Sequence, residues 1–179
     1  NQRGALPGTG FWLRVAQVEP PLQVITMLQG APVADPAAPL VTDGEVPDWM
    51  LQAAERVGTM QEARFSGTYP VADVEFTDDR MPLSATMRVL NPMVPGDVDT
   101  SSIPTAMFEF TLRNDGPIDV HGTLAGSMLN AVGWDGVAPI ADVTPGLGGN
   151  VNRLVRGRGW TRVVMDNPTL AESAQFAGQ

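Results

Sequence analysis

The chain has 179 residues and a formal net charge of −9, from 20 acidic and 11 basic side chains. That field repels phosphate backbones and anionic membrane surfaces, and no apolar run approaches the roughly 18 residues of a membrane-spanning helix, so neither nucleic acid nor a membrane span is expected. All 11 basic residues are Arg, which removes Schiff-base and P-loop lysine chemistry, and the absence of Cys removes thiolate catalysis, disulfides and Cys-ligated zinc.

The hydrophobic share, 43%, suits a globular chain with a core of its own. Asn1 to Gly8 has no basic stretch followed by an apolar run, so a cytoplasmic location is expected. Pro and Gly recur throughout, and between them lie short runs of β-branched and aromatic residues with period-two alternation. Phe11–Val18 places Phe11, Leu13 and Val15 on one face; after Pro20-Pro21, Leu22–Gln29 completes an expected hairpin. Residues 31–47 are rich in Pro and small or acidic side chains, too poor in apolar surface to offset ordering entropy, and read as a surface loop. Pro47–Val57 combines helix formers, an acidic first turn and Gly58 as a stop, which predicts one short helix.

Further strands are predicted over Gln61–Gly67, Val71–Thr77, Pro82–Asn91, Ala106–Asn114, Ile118–Leu129 and Leu154–Met165. Asn114-Asp115-Gly116-Pro117 supplies turn chemistry, so the strands on either side of it are expected to pair as a hairpin. Strands joined by turns, with a single helix, make the fold mostly β: an antiparallel β-sandwich occupying residues 1–179, whole or as the central part of a larger domain.

Acid/base hydrolysis by carboxylates needs two of them facing one bond. Asp78-Asp79 and Asp97/Asp99 are the abundant candidates, but both sets sit in turns, where Asp caps the backbone or faces solvent, and no catalytic residue is assigned. Asp97–Ser101 resembles only the opening of a calcium loop and lacks its later Gly and Glu; with His121 as the sole His, no metal or cofactor site is assigned. Gly146–Asn150 is glycine-rich but precedes a strand-like run, so it offers no helix N-terminus to a phosphate. The basic residues Arg153, Arg156 and Arg158 beside Trp160, with Arg162, could stack on a sugar or hold carboxylates of a neighbour; alternate strand positions facing solvent are the simpler reading. The loops Asn91–Pro104 and Asn130–Asn150 are expected at an interface or cleft, which singles out Asn130 and Trp134.

From Arg64–Phe76 onward the sequence resembles the N-terminal domain of the non-lysosomal glucosylceramidase, or bile-acid β-glucosidase, family of glycoside hydrolases. The likeness continues through Met81-Pro82-Leu83, Leu90–Gly96, Ser101–Phe108, Gly126–Trp134 and Gly148–Asn152, and covers most of Gly10–Met165. This resemblance implies a β-sandwich packed on an (α/α)6 barrel whose Glu nucleophile and Asp acid/base hydrolyse β-glucosides with retention. Neither catalytic motif lies in this chain, and the family's pattern implies further strands on both sides of it. The expected role is therefore a structural, non-catalytic part of such an enzyme, with the helical barrel as partner in the same or an associated chain. The other reading is a free-standing carbohydrate-binding or assembly module, for which a sugar ligand or a second copy of the chain would be the partner.

Overall fold

A computed structural model describes residues 9–30, 55–134 and 148–170 of the protein. The strands are β1 (Gly10–Gln17), β2 (Leu22–Gly30), β3 (Thr59–Met60), β4 (Glu62–Thr68), β5 (Val71–Thr77), β6 (Ser84–Leu90), β7 (Met107–Arg113), β8 (His121–Ser127), β9 (Val151–Gly157) and β10 (Trp160–Asp166). A one-turn helix α1 (Val98–Ser101) lies between β6 and β7. No helix among the described residues is long and apolar enough to cross a membrane. The chain divides into two packed units, one holding Gly10–Ser127 and the other the residues from Met128 onward.

The first unit is a sandwich. One sheet has the order β3-β2-β1-β8 and the other β4-β5-β6-β7. Every pairing is antiparallel except that of β2 with β3, which is parallel. The alternation seen in the sequence explains the arrangement: a strand sends successive side chains to opposite faces, so Phe11, Leu13 and Val15 all enter the same interior. Leu13 and Val15 are fully buried, and Leu28, Met60, Phe76, Met81 and Ala85 complete the buried cluster. The Phe11 ring meets Phe108 at 5.1 Å and Phe110 at 4.8 Å between centroids, both in tilted geometries that aromatic quadrupoles favour. The outer face of the second sheet is polar, with Arg88 of β6 opposite Asp73 of β5 and Glu109 of β7.

Two pairings differ from expectation. Strands β7 and β8 do not pair with each other: β7 pairs β6 and β8 pairs β1. Asn114 does form the predicted turn, accepting from Gly116 N and donating to Ile118 O. The turn instead carries the chain from one sheet to the other, because Phe108 and Phe110 on β7 and Leu124 on β8 must all face one interior. The run Leu154–Met165 is not one strand but the hairpin β9–β10, in which Trp160 pairs Gly157 and Asp166 pairs Val151. Gly159, at φ 80°, supplies the left-handed turn residue.

Residues 55–57 are helical and Gly58 follows at φ 83°, the left-handed stop expected there; residues 47–54 of the predicted helix, and the loop 31–47, lie outside the described residues. Helix α1 falls within a stretch read as loop. Asp97 caps it, accepting from Thr100 N at 3.0 Å and Thr100 Oγ1 at 2.6 Å.

The corner between β5 and β6 is fastened by one ion pair. The Asp78 side chain is fully buried; its Oδ1 accepts from Arg80 N at 2.9 Å and Arg80 Nε at 2.8 Å, while Arg80 Nη2 reaches Thr59 O at 2.8 Å. Asp79 N donates to Gln61 Oε1 at 3.1 Å. The two sheets are thus tied at β3. The bonds from Arg80 hold the Asp78 carboxyl below its usual range, outweighing the opposing effect of burial. A depressed folded pKa contributes stability above the unfolded value, about 4, that disappears as pH falls through the folded value. Asp78→Asn should cost about 1–3 kcal/mol at pH 7, and the gap from the parent should be narrower at a pH below the ordinary carboxylate range. Urea unfolding at the two pH values measures this, and an equal gap at both contradicts the assignment.

Candidate functional site

Within the second unit, the β9–β10 hairpin and residues 128–134 hold the side chains singled out from sequence. The hairpin register separates the arginines. Arg153 lies opposite Val164 on the face that also carries Trp160 and Arg162; Arg156 lies opposite Thr161 on the reverse face; Arg158 sits in the connecting turn. The strand period of two forces this split, so the four arginines do not form one cluster.

Trp160 is 51% exposed. Its ring lies over Gly157, where an added Cβ would overlap the indole, so Gly157 is the residue that lets the ring cross the hairpin. The Arg162 guanidinium stands 5.5 Å from the ring centroid, within cation–π range. The exposed surface is therefore a preoriented indole with a cation over it. Such a pair suits a carboxylate or a sugar edge better than flat stacking, which would require Arg162 to move aside.

Asn130 behaves differently. It is buried, and its Nδ2 donates to Val151 O at 3.0 Å and Asn152 Oδ1 at 2.8 Å, while its Oδ1 accepts from Val132 N at 3.3 Å. Asn150 Nδ2 donates to Val132 O at 2.9 Å and Asn130 O at 3.2 Å. Buried Asn167 accepts from Thr169 N, and Thr169 Oγ1 donates to Gly148 O at 3.0 Å. Side-chain amides thereby join residues 130–132, residues 148–152 and the end of β10. The Asn130 amide is spent inside this cage, so its part in any contact is to position the loop. Trp134 is partly buried, its backbone N–H bonding Ala131 O at 2.9 Å. Sequence reasoning marked Asn130 as a contact and missed the cage; the only signal was the recurrence of Asn at 130, 150, 152 and 167 beside strand ends.

In the first unit, two depressions are present. One, about 330 Å³, is lined by Met93, Val94, Gly96, Asp97, Val98 and Ser101 within the expected interface loop Asn91–Pro104. Ser101 Oγ bridges Val94, donating to its O at 3.1 Å and accepting from its N at 3.0 Å, which holds the loop in shape. The other, about 120 Å³, is lined by Asp73, Thr86, Arg88, Glu109 and Thr111 on the outer sheet face. Arg88 Nε donates to Asp73 Oδ1 at 2.8 Å and holds that carboxyl below its usual range, so Asp73 is an ionised acceptor and a poor general acid. Asp97 is likewise held low by its bonds from Thr100. His121 is exposed on β8. Among the described residues no three His, Asp or Glu side chains converge to hold a metal ion.

The family model described as beta-glucosidase 2, glycosyl-hydrolase family 116 N-term, matches residues 4–179. The chain belongs to this family. A search of curated proteins finds no match. Segments that carry the resemblance to this family have definite physical roles in the fold. Asn91–Gly96 builds the apolar depression beside α1, Gly126–Trp134 ends β8 and enters the amide cage, and Gly148–Asn152 closes that cage.

Truncating the cage hub leaves buried partners without hydrogen bonds. Asn130→Ala is expected to cost about 1–3 kcal/mol and to expose amide protons of residues 148–152 to exchange. Thermal unfolding with hydrogen exchange checks it, and unchanged protection there contradicts the positioning role.

Proposed function

We propose that this chain is a structural, non-catalytic part of a retaining β-glucosidase of family 116, working against an (α/α)6 catalytic domain in the same or an associated chain. Family membership over residues 4–179 carries the reading. The disposition of the carboxylates supports it. Asp73 is paired with Arg88, Asp78 with Arg80, Asp115 with Arg113 and Glu62 with Arg64, and Asp97 caps α1. These carboxylates serve the sandwich, whereas glycoside hydrolysis needs two that flank one bond. The proposed substrates of the assembled enzyme are β-glucosides of the glucosylceramide type.

In this reading the apolar depression of Met93, Val94 and Val98 and the Trp160–Arg162 pair are contact points with the catalytic domain or the rim of its cleft. Trp160 also supports a second reading, a sugar-binding module, because a half-exposed indole preoriented by Gly157 is a ready contact for a pyranose.

Assay with an aryl β-glucoside separates the readings. The chain alone is expected to release no glucose above buffer, and activity should appear only with the polypeptide that supplies the catalytic Glu and Asp. Trp160→Ala should then raise KM or weaken association while leaving the isolated chain folded. Hydrolysis by the chain alone overturns the proposal, and tight binding of β-glucosides without any such polypeptide favours the module.

A further inference from the structure

We propose that the Trp160 face of the β9–β10 hairpin takes a carboxylate between Arg162 and Arg153, supplied by an acidic side chain of the catalytic domain. This deepens the family 116 reading and rests on it. Four of the eleven Arg, against one of the twenty acidic residues, lie within 148–170. In the first unit Arg64, Arg80, Arg88 and Arg113 each bond a carboxylate. Among the described residues Arg153, Arg156, Arg158 and Arg162 bond none, and Asp166, the acid on β10, spends its Oδ1 on Asn167 N at 2.8 Å.

The register makes two of these arginines neighbours. Arg162 lies opposite Val155 and Arg153 opposite Val164, so the two are diagonal on one face, with Trp160 next along β10 and opposite Gly157. Diagonal positions are about 7–8 Å apart, within reach of long side chains, and like charges at that range repel unless an anion joins them. The Arg162 guanidinium stands over the indole at 5.5 Å, a contact that uses no N–H group and leaves its donors available. A carboxylate has two oxygens and accepts from both guanidiniums at once. Covering this face with a surface of any other chemistry would enclose two like charges without a counter-ion, which is costly. A protein carboxylate fits better than a sugar acid, because Arg162 occupies the ring face on which a pyranose would stack.

Arginine modification by a dicarbonyl reagent, read by mass spectrometry on the native assembled enzyme, tests this contact. Arg158 in the turn is expected to react about tenfold faster than Arg153 or Arg162, and about 1 M sodium chloride should close the gap, because a Debye length near 3 Å screens ion pairs. Arg153→Gln should make Arg162 react as fast as Arg158, whereas Arg156→Gln, on the reverse face, should change neither rate. Protection of Arg153 and Arg162 that survives salt, or labelling of both at the rate of Arg158, overturns the proposal. Calorimetric binding of glucuronate that Trp160→Ala abolishes would assign the carboxylate to a sugar and overturn it too. Reactive arginines in a particle that holds the helical barrel refute this contact alone, whereas a native particle without any barrel refutes the family 116 reading as well.

Discussion

The sandwich depends on one geometric constraint, that Phe11, Leu13 and Val15 of β1 must leave water on the same side. Strand β1 is central in its sheet, so its inward row fixes the inward rows of β2 and β8 through register, and with them which residues of the facing sheet are enclosed. A slip of one residue would present Trp12, Arg14 and Ala16 to Phe76 and Phe110 instead, placing a charge in the core. The crossing from β7 to β8 follows from the same demand. A tight hairpin at Asn114–Pro117 would have kept both strands in the second sheet and left β1 without a neighbour on that side.

Polar groups finish what the apolar rows begin. The Asp78–Arg80 pair joins the β5–β6 corner to β3, and the amide cage around Asn130 holds the base of the β9–β10 hairpin. A buried charge or amide is costly unless its bonds are met, so each arrangement favours one conformation over its neighbours and penalises partial opening. Among the described residues no buried side-chain nitrogen or oxygen lacks a partner. These polar contacts hold loops and corners in place.

How far the sequence could be read follows from the range of the interactions. Period-two alternation is local, and the expected strand Val71–Thr77 matches β5 to the residue, while the expected hairpin of Phe11–Val18 with Leu22–Gln29 forms as β1–β2 with strand ends displaced by one residue. The choice of strand partners is not local: turn chemistry at Asn114 was read correctly, yet it could not say that β7 and β8 belong to different sheets. In 154–165 strand-forming residues on both sides hide a turn whose local signal is Gly157 and Gly159. The amide cage was beyond reach, because Asn is common in turns and only the fold brings positions 130, 150 and 167 together. The resemblance to family 116 was legible because it rests on an ordered series of blocks, each of which is ambiguous alone.

The electrostatics of the described carboxylates serve the fold. A catalytic carboxylic acid works when burial or a like charge raises its pKa towards the working pH. In Asp73, Asp78 and Asp97 the effect runs the other way, with Arg88, Arg80 and Thr100 stabilising the ionised form. Such groups strengthen a scaffold and cannot readily protonate a leaving group. Among the described residues one open feature is apolar, the groove beside α1. A surface of that kind gains free energy by being covered with other protein.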